Sequence, residues 1–157
     1  MPNRAIHTDI KVVKMLTPIV VNNDTEAAPA TPLDCKGYDA AEAILSVGVT
    51  GDTLSGSVKV EVKAQESDNG TDWTACAAAD VDVSSNATAS AVSAPDANGI
   101  ICTIDDNAED DVVVRAGYKG SKRFYRLFPD MTGTHTNGIP MSMIGILALG
   151  AQLPVQD

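Results

Sequence analysis

The chain has 157 residues, of which 21 are acidic and 11 are basic, so its formal net charge is -10. That length suits a single domain, and the acidic balance argues against a nucleic-acid-binding protein, because affinity for duplex comes mainly from neutralising phosphates with Lys and Arg. Aromatic residues make up only 4% of the chain, so the core must consist of small and β-branched side chains, which favour sheets.

The first 21 residues are mildly basic and rich in Ile and Val. They predict either a first strand of the sheet or an extended N-terminal arm across a neighbouring subunit, because chain termini are often free unless something ties them down. The segment lacks the apolar core of a signal peptide, so no secretion is expected. The candidate contact residues in this segment are Arg4, Ile6, Lys11 and Lys14.

Residues 22–34 are small, polar and Pro-containing, which predicts a loop. Two strands are expected next, at 41–49 and 57–66. In the first, Ala43, Leu45, Val47 and Val49 fall on one face at a period of two. The second alternates regularly, with Val58, Val60, Val62 and Ala64 pointing inward and charged or polar residues pointing to water, as in an antiparallel strand with one buried face.

The stretch Ser67-Asp-Asn-Gly-Thr-Asp-Trp-Thr74 predicts a hairpin. Its turn is expected at Asn69-Gly70, because both residues tolerate positive φ. Trp73 begins the returning strand and is a candidate structural anchor that covers one end of the core. The same pattern occurs in discoidin-type carbohydrate-binding sandwiches, so a sugar-binding role is an alternative. Residues 75–98 are rich in Ala and Ser and predict a low-complexity insertion of loops with short edge strands.

A basic segment at 112–129 stands out in this acidic chain. We interpret it as a strand, a tight turn and a second strand, with Gly117, Gly120 and Ser121 allowing the reversal. The acidic run 105–111, which follows a strand at 99–104, is expected to be solvated or to face this hairpin, and it lacks the ligand spacing of an EF-hand. The basic residues of the hairpin are Arg115, Lys119, Lys122, Arg123 and Arg126.

The last strand, 140–150, is apolar on both faces, with Met141, Met143, Leu147 and Leu149 expected on one of them. It is therefore either central between sheets or covered by another subunit. The apolar window from Ile139 to Leu153 is shorter than the roughly 20 residues that span a bilayer, so no membrane partner is expected.

No catalytic, cofactor-binding or metal-binding residues are predicted. The two histidines offer little for a triad, and His135, without a partner at ligand spacing, is expected to be a surface residue. Cys35, Cys76 and Cys102 are an odd number at irregular spacing, so we expect reduced thiols. The chain is not expected to be an enzyme.

These observations predict an all-β protein, an antiparallel β-sandwich of the jelly-roll-like or Ig-like type with about seven to nine strands and no convincing helix. The domain assignment is an arm or first strand at 1–21, followed by one sandwich at 22–157 that carries the insertion.

Three stretches occur in an order that resembles a family of small proteins of tailed bacteriophages and prophages, encoded near the major capsid protein. They are Leu33-Asp-Cys-Lys-Gly-Tyr-Asp-Ala-Ala-Glu42, Val62-Lys-Ala-Gln-Glu-Ser-Asp-Asn-Gly-Thr-Asp-Trp-Thr74 and Arg115-Ala-Gly-Tyr-Lys-Gly-Ser-Lys-Arg-Phe-Tyr-Arg126. The resemblance covers roughly 33–150, and the Ala/Ser-rich part around 75–98 departs from it. It implies a structural role in the virion.

Physical character and resemblance together suggest a capsid decoration (cement) protein. Such a protein binds the outer surface of the major capsid shell as an oligomer, with a trimer favoured, and many weak identical contacts add up. It is assembled in the host cytoplasm. The alternatives are a head-tail connector or tail structural protein, and a carbohydrate-binding adhesion module on the virion.

Overall fold

The computed structural model describes residues 6–86 and 91–151, which form two antiparallel sheets of five strands each, packed as a sandwich. The predicted all-β fold class is confirmed. The strand count exceeds seven to nine because two strands have only two residues each. The strands are β1 (Ile10–Val21), β2 (Leu33–Asp34), β3 (Tyr38–Val47), β4 (Lys59–Ser67), β5 (Thr74–Ala75), β6 (Val81–Ser85), β7 (Ile100–Ile104), β8 (Val112–Tyr118), β9 (Phe124–Thr132) and β10 (Ile139–Gly150).

Sheet A has the strand order β1-β10-β3-β8-β6, and sheet B has the order β2-β9-β4-β5, with β7 also pairing β4. Apart from the β4–β5 hairpin, each strand is followed along the chain by a strand of the other sheet. When β5 and β6 are set aside, the order β1-β10-β3-β8 over β2-β9-β4-β7 is that of a jelly roll, in which two Greek keys form a double sheet. Of the two sandwich types expected, the jelly roll is the one found.

The core lies between the two sheets and is built from small and β-branched side chains, as the composition predicts. In β4, Val60, Val62 and Ala64 are fully buried, so the predicted alternation is confirmed. The hairpin at Asn69-Gly70 is confirmed too, since β4 pairs with β5 and Gly70 has a φ of 77°. Within the described residues, no helix is long and apolar enough to cross a membrane.

The predicted hairpin at 112–129 is wrong. β8 pairs with β3 and β6 in sheet A, whereas β9 pairs with β4 and β2 in sheet B, so the short link between them crosses from one sheet to the other. Both strands bury one face in the same core, and they therefore face each other across it. The rings of Tyr118 and Tyr125 stack there with centroids 4.6 Å apart.

The N-terminal segment is a first strand from Ile10 onward, since β1 pairs with β10 at the edge of sheet A. Residues 6–9 precede it in a turn, and Arg4 lies outside the described residues. In the predicted loop 22–34, one helical turn, α1 (Asp24–Ala27), is capped by the side chain of Asn23, which accepts from the Glu26 N–H at 3.1 Å. The expectation of no helix is corrected to this single turn and a 3₁₀ turn at Ala78–Asp80.

In its described residues, 75–86 and 91–98, the predicted insertion contains a short edge strand, as expected. Its β6 pairs with β8 and adds a fifth strand to sheet A, and both Cys76 and Val81 reach the core. Two predicted inward residues instead point to solvent. Val49 lies beyond the end of β3, and the positive φ of Leu149 turns its side chain outward, so each is 64% exposed.

Candidate interaction surface on sheet A

The predicted contact residues fall into two separate groups. Ile6, Lys11 and Lys14 lie on or just before the edge strand β1, whereas Lys119, Lys122 and Arg123 lie at the β8–β9 crossover. Arg115 belongs to neither group, because it lies on the outward side of β8, in the middle of sheet A. The structure therefore does not bring the predicted residues together as one basic patch.

The crossover cations are neutralised by nearby carboxylates. Lys119 Nζ lies 2.8 Å from Asp82 Oδ1, and Lys122 Nζ pairs with Asp68. Arg123 donates from Nε and Nη2 to the two oxygens of Asp34, at 2.9 and 2.6 Å, and this pairing lowers the pKa of the Asp34 carboxyl. A cation already paired in this way offers little attraction to a second acidic partner.

The acidic run 105–111 was expected to be solvated or to face the basic hairpin, and within the fold its described long-range side-chain hydrogen bonds do not go to the basic crossover. Its polar side chains hold neighbouring loops instead. Asp110 Oδ2 accepts from the Thr50 N–H at 2.9 Å, and Asn107 accepts from the Leu54 N–H at 2.9 Å while it donates to the Asp52 carbonyl at 2.8 Å. These side-chain oxygens accept hydrogen bonds from backbone N–H groups that would otherwise lack a partner in the loops.

The loop 133–138 is fastened by Asp52. Its carboxylate accepts from the backbone N–H groups of Asn137 and Gly138 at 3.0 and 2.9 Å, and these bonds lower its pKa. His135 was expected at the surface but is only 4% exposed. Its Nε2 lies 3.1 Å from the Thr132 carbonyl, and its Nδ1 is buried without a hydrogen-bond partner among the residues that the structure describes.

Trp73 is not part of the core. The guanidinium of Arg126 lies 4.1 Å from the centre of its ring and 5.0 Å from that of Phe128, so the cation is held between two aromatic rings on the outer face of sheet B. Arg126 also donates from Nε to Gln65 Oε1 at 2.9 Å. Trp73 is therefore an anchor for Arg126 rather than a cover for the core, and one face of its ring is already occupied by the guanidinium.

The outer face of sheet A, the side turned away from the core, is largely apolar. Neighbouring strands place Val12 against Ile146, and Ile144 against Ile44, so these side chains form a continuous surface. Val12 is 54% exposed and Ile144 is 42% exposed, which is unusual for adjacent large aliphatic residues. The apolar residues of this face include Ile10, Val12, Ala40, Ile44, Val113, Ile144, Ile146 and Ala148.

Two basic residues bracket this apolar surface. By the strand register, Lys14, Ile144, Ile44 and Arg115 follow one another across four strands. Lys14 makes no ion pair with any residue in the described ranges 6–86 and 91–151, whereas Arg115 pairs with Glu42 at 2.7 Å. The face therefore carries little net charge in a molecule of formal charge -10.

A groove of about 390 Å³ runs across this face from β6 to β10. It exists because Gly117 has no side chain where the register places it between Glu42 and Asp82. A Cβ at this position would meet nothing closer than the Asp82 carbonyl oxygen at 3.9 Å. The groove walls are formed by Ala40, Ala41, Glu42, Asp82, Val83, Ser84, Arg115, Ile146 and Ala148.

Among the residues that the structure describes, no group of three His, Cys, Asp or Glu side chains could hold a metal ion. The three thiols are free, and burial raises their pKa values, to about 11 for Cys35 and Cys102 and about 12 for Cys76. Thiols with such high pKa values are poor nucleophiles at neutral pH, because the thiolate is the reactive form.

Sequence reasoning missed the groove and the aliphatic residues beside it. A signal was present in part, since the apolar character of both faces of β10 predicted cover by another subunit as one alternative. The neighbours of β10 could not be read from the chain, because β1 and β3 are distant from it in sequence. Comparisons with protein-family models, with curated proteins and with solved structures gave no match to this chain.

Proposed function

We propose that this chain is a bacteriophage capsid decoration protein that binds the outer surface of the major capsid shell and stabilises it. The observation that carries the proposal is an exposed apolar sheet face of low charge on an otherwise acidic sandwich. A surface of that kind suits protein–protein contact within the oligomer that decorates the shell, whereas the contact with the shell itself is assigned to the β1 side of the molecule. The resemblance of three sequence stretches to virion proteins supplies the partner, and jelly rolls serve in capsids as well as in lectins.

The acidic character supports a position outside the shell. A net charge of -10 disfavours contact with packaged DNA and helps to keep particles dispersed. Most of the cations that the structure describes are engaged in ion pairs or with aromatic rings, and Lys11, Lys14 and Lys36 are the described cations with neither an ion pair nor a ring contact. Lys11, together with the 64% exposed Ile6, gives the β1 side of the molecule a basic and apolar contact surface for the shell.

The first experiment counts copies of this chain per major capsid subunit in purified particles by quantitative mass spectrometry. A fixed ratio near one, or another large fraction, is the expected result. A handful of copies per particle would instead favour a ring at the head-tail junction or in the tail, and absence from particles would reject the virion role.

The contact surface is tested by binding to purified shells that lack this chain, measured by co-sedimentation. Deleting residues 1–16 would be a poor test, because it removes the buried Met15 and Leu16. Ile6→Asp and Lys11→Glu are expected to weaken shell binding. Val49→Asp and Lys36→Glu are matched controls, since Val49 is as exposed as Ile6 and Lys36 is likewise without an ion pair among the described residues. Equal losses in all four variants would overturn the proposed contact.

A further inference from the structure

We propose that two copies of this chain pair through the outer faces of sheet A, about a two-fold axis parallel to β3. Because β3 is the central strand of the order β1-β10-β3-β8-β6, such an axis places β1 of one copy over β6 of its partner and β10 over β8. Aligned packing of two sheet faces at about 10 Å is a common arrangement. The same patch then serves both copies, as in an isologous interface.

The two halves of the face have complementary shapes under this operation. Val12 and Ile144 project from the β1 and β10 half, where they are 54% and 42% exposed. The groove of about 390 Å³ at Gly117 runs from Asp82 and Ser84 on β6, across β8 and β3, to Ile146 on β10. The proposed axis keeps each residue in its cross-strand row, so it places Val12 over the partner's Asp82 and Ile146 over the partner's Gly117, at the β6 and β8 end of the partner's groove.

The charges of the two halves are also complementary. Lys14 lies in the same cross-strand row as Ser84, one row from Asp82, so the two-fold axis brings Lys14 close to the partner's Asp82. The Asp82 side chain is 75% exposed, and its only described ion pair is with Lys119. Two molecules of formal charge -10 repel one another over most orientations, whereas the proposed pairing brings opposite charges together.

The available area is at the lower limit for a specific pair. Five strands about 4.8 Å apart and about seven residues long, at roughly 3.4 Å per residue, present about 500 Å² per copy. Two such faces bury about 1,000 Å², which is near the minimum for a specific interface. We therefore expect a weak pair whose population rises with protein concentration.

The first test fills the groove. A side chain at Gly117 projects into open space, so Gly117→Leu is expected to fold and to weaken pairing roughly tenfold or more, since it occupies the volume that the partner's aliphatic residues need. Gly56→Leu is the matched control, because nothing lies within 4 Å of a Cβ there. Sedimentation equilibrium over a range of concentrations gives the dissociation constant, and thermal melts verify folding.

The second test reverses charges. Lys14→Glu and Asp82→Lys should each weaken pairing, and the double variant should recover most of the loss, because it restores an opposite-charge pair with reversed polarity. Lys36→Glu/Asp39→Lys is the control double variant, since Lys36 lies on the turn that leads into β3, and Asp39, the second residue of β3, alternates with Ala40 and so lies on the side opposite to the outer face of sheet A.

Three results would overturn the two-fold pair. The chain could stay monomeric at all concentrations, its mass could be that of three copies, or the Lys14→Glu/Asp82→Lys double variant could pair no better than the single variants. A mass of three copies would instead support the trimer that the sequence favours. These measurements use the purified chain without capsid, so their outcome is independent of the shell-binding and stoichiometry experiments. Two copies can pair in a protein that never binds a shell, and a protein that binds a shell need not pair in this way.

Discussion

Gly145 is a residue whose missing side chain is required by the core. It lies in β10, and a Cβ there would collide with the side chains of Leu33 and Met15 from two other strands. Gly145→Ala is therefore expected to lower the free energy of unfolding by about 1–3 kcal/mol through overpacking. Urea denaturation measures the loss, and Gly56→Ala, which meets nothing within 4 Å, should be close to neutral. Equal stability of the two variants would contradict this account of the core.

Asp52 makes the attachment of the 133–138 loop dependent on pH. The backbone N–H of Asn137 is the main cause of its lowered pKa. The folded state then binds a proton less readily than the unfolded chain, whose Asp pKa is about 3.9. The contribution of Asp52 to stability is therefore complete above that pH and is lost as the pH falls through the lowered pKa of the folded state.

Asp52→Asn should flatten the acid side of the stability curve. Thermal melts of the wild type and the variant between neutral and acidic pH measure the difference, which is expected to be largest near neutral pH and to shrink on acidification. Asp39→Asn is the control, because Asp39 is exposed and makes no hydrogen bond or ion pair within the described part of the chain. A constant difference between wild type and Asp52→Asn at every pH would rule out the linkage.

At the scale of elements, the β8–β9 crossover is stabilised by the hydroxyl of Tyr118. It donates to Glu66 Oε2 at 2.7 Å and accepts from the Lys122 N–H at 2.9 Å, so one group ties sheet A, sheet B and the link between them. Tyr118→Phe leaves both partners without this bond and should cost about 1–3 kcal/mol.

Chemical denaturation of Tyr118→Phe measures that cost. Tyr38→Phe is a matched control, because the Tyr38 hydroxyl makes no hydrogen bond to a described residue. If both substitutions changed stability equally, the hydroxyl would not be what stabilises the crossover.

The local sequence pattern predicted some elements well, but it failed where strand pairing depends on residues distant in the chain. The strand β4 follows directly from the alternation of Val60, Val62 and Ala64 with polar residues, and the Asn69-Gly70 turn follows from positive φ. The link at Gly120 has the composition of a hairpin turn, yet its flanking strands enter different sheets because both must cover the same core. Turn composition sets where the chain reverses, while burial on both sheets decides which strands pair.

The candidate surface was only partly predictable for the same reason. Lys14 and Arg115 were singled out as charged residues, but their placement on either side of Ile144 and Ile44 depends on a register among four strands. The carboxylates that neutralise the crossover cations come from positions far away in the chain. His135 shows the opposite failure, because a polar residue in a Thr- and Gly-rich loop becomes buried once Asp52 fastens that loop to the sandwich.

At the scale of the whole molecule, charge is distributed unevenly in a way that matters for partners. Within the described residues, six ion pairs engage six of the 11 basic residues of the chain, so carboxylates remain in excess. The outer face of sheet A is low in charge by contrast. The molecule therefore presents an apolar side suited to protein contact and an acidic remainder that repels other polyanions.

This distribution predicts that the chain does not bind duplex DNA. Binding would require several cations free to displace counterions from phosphates, and the three described lysines without ion pairs do not form such a cluster against a net charge of -10. Fluorescence anisotropy with a labelled duplex should show no saturable binding even at low salt, where electrostatic attraction is strongest. Saturable binding that weakens steeply as salt is added would reveal a basic surface and would favour a position inside the capsid, against the packaged DNA, over one on its outer face.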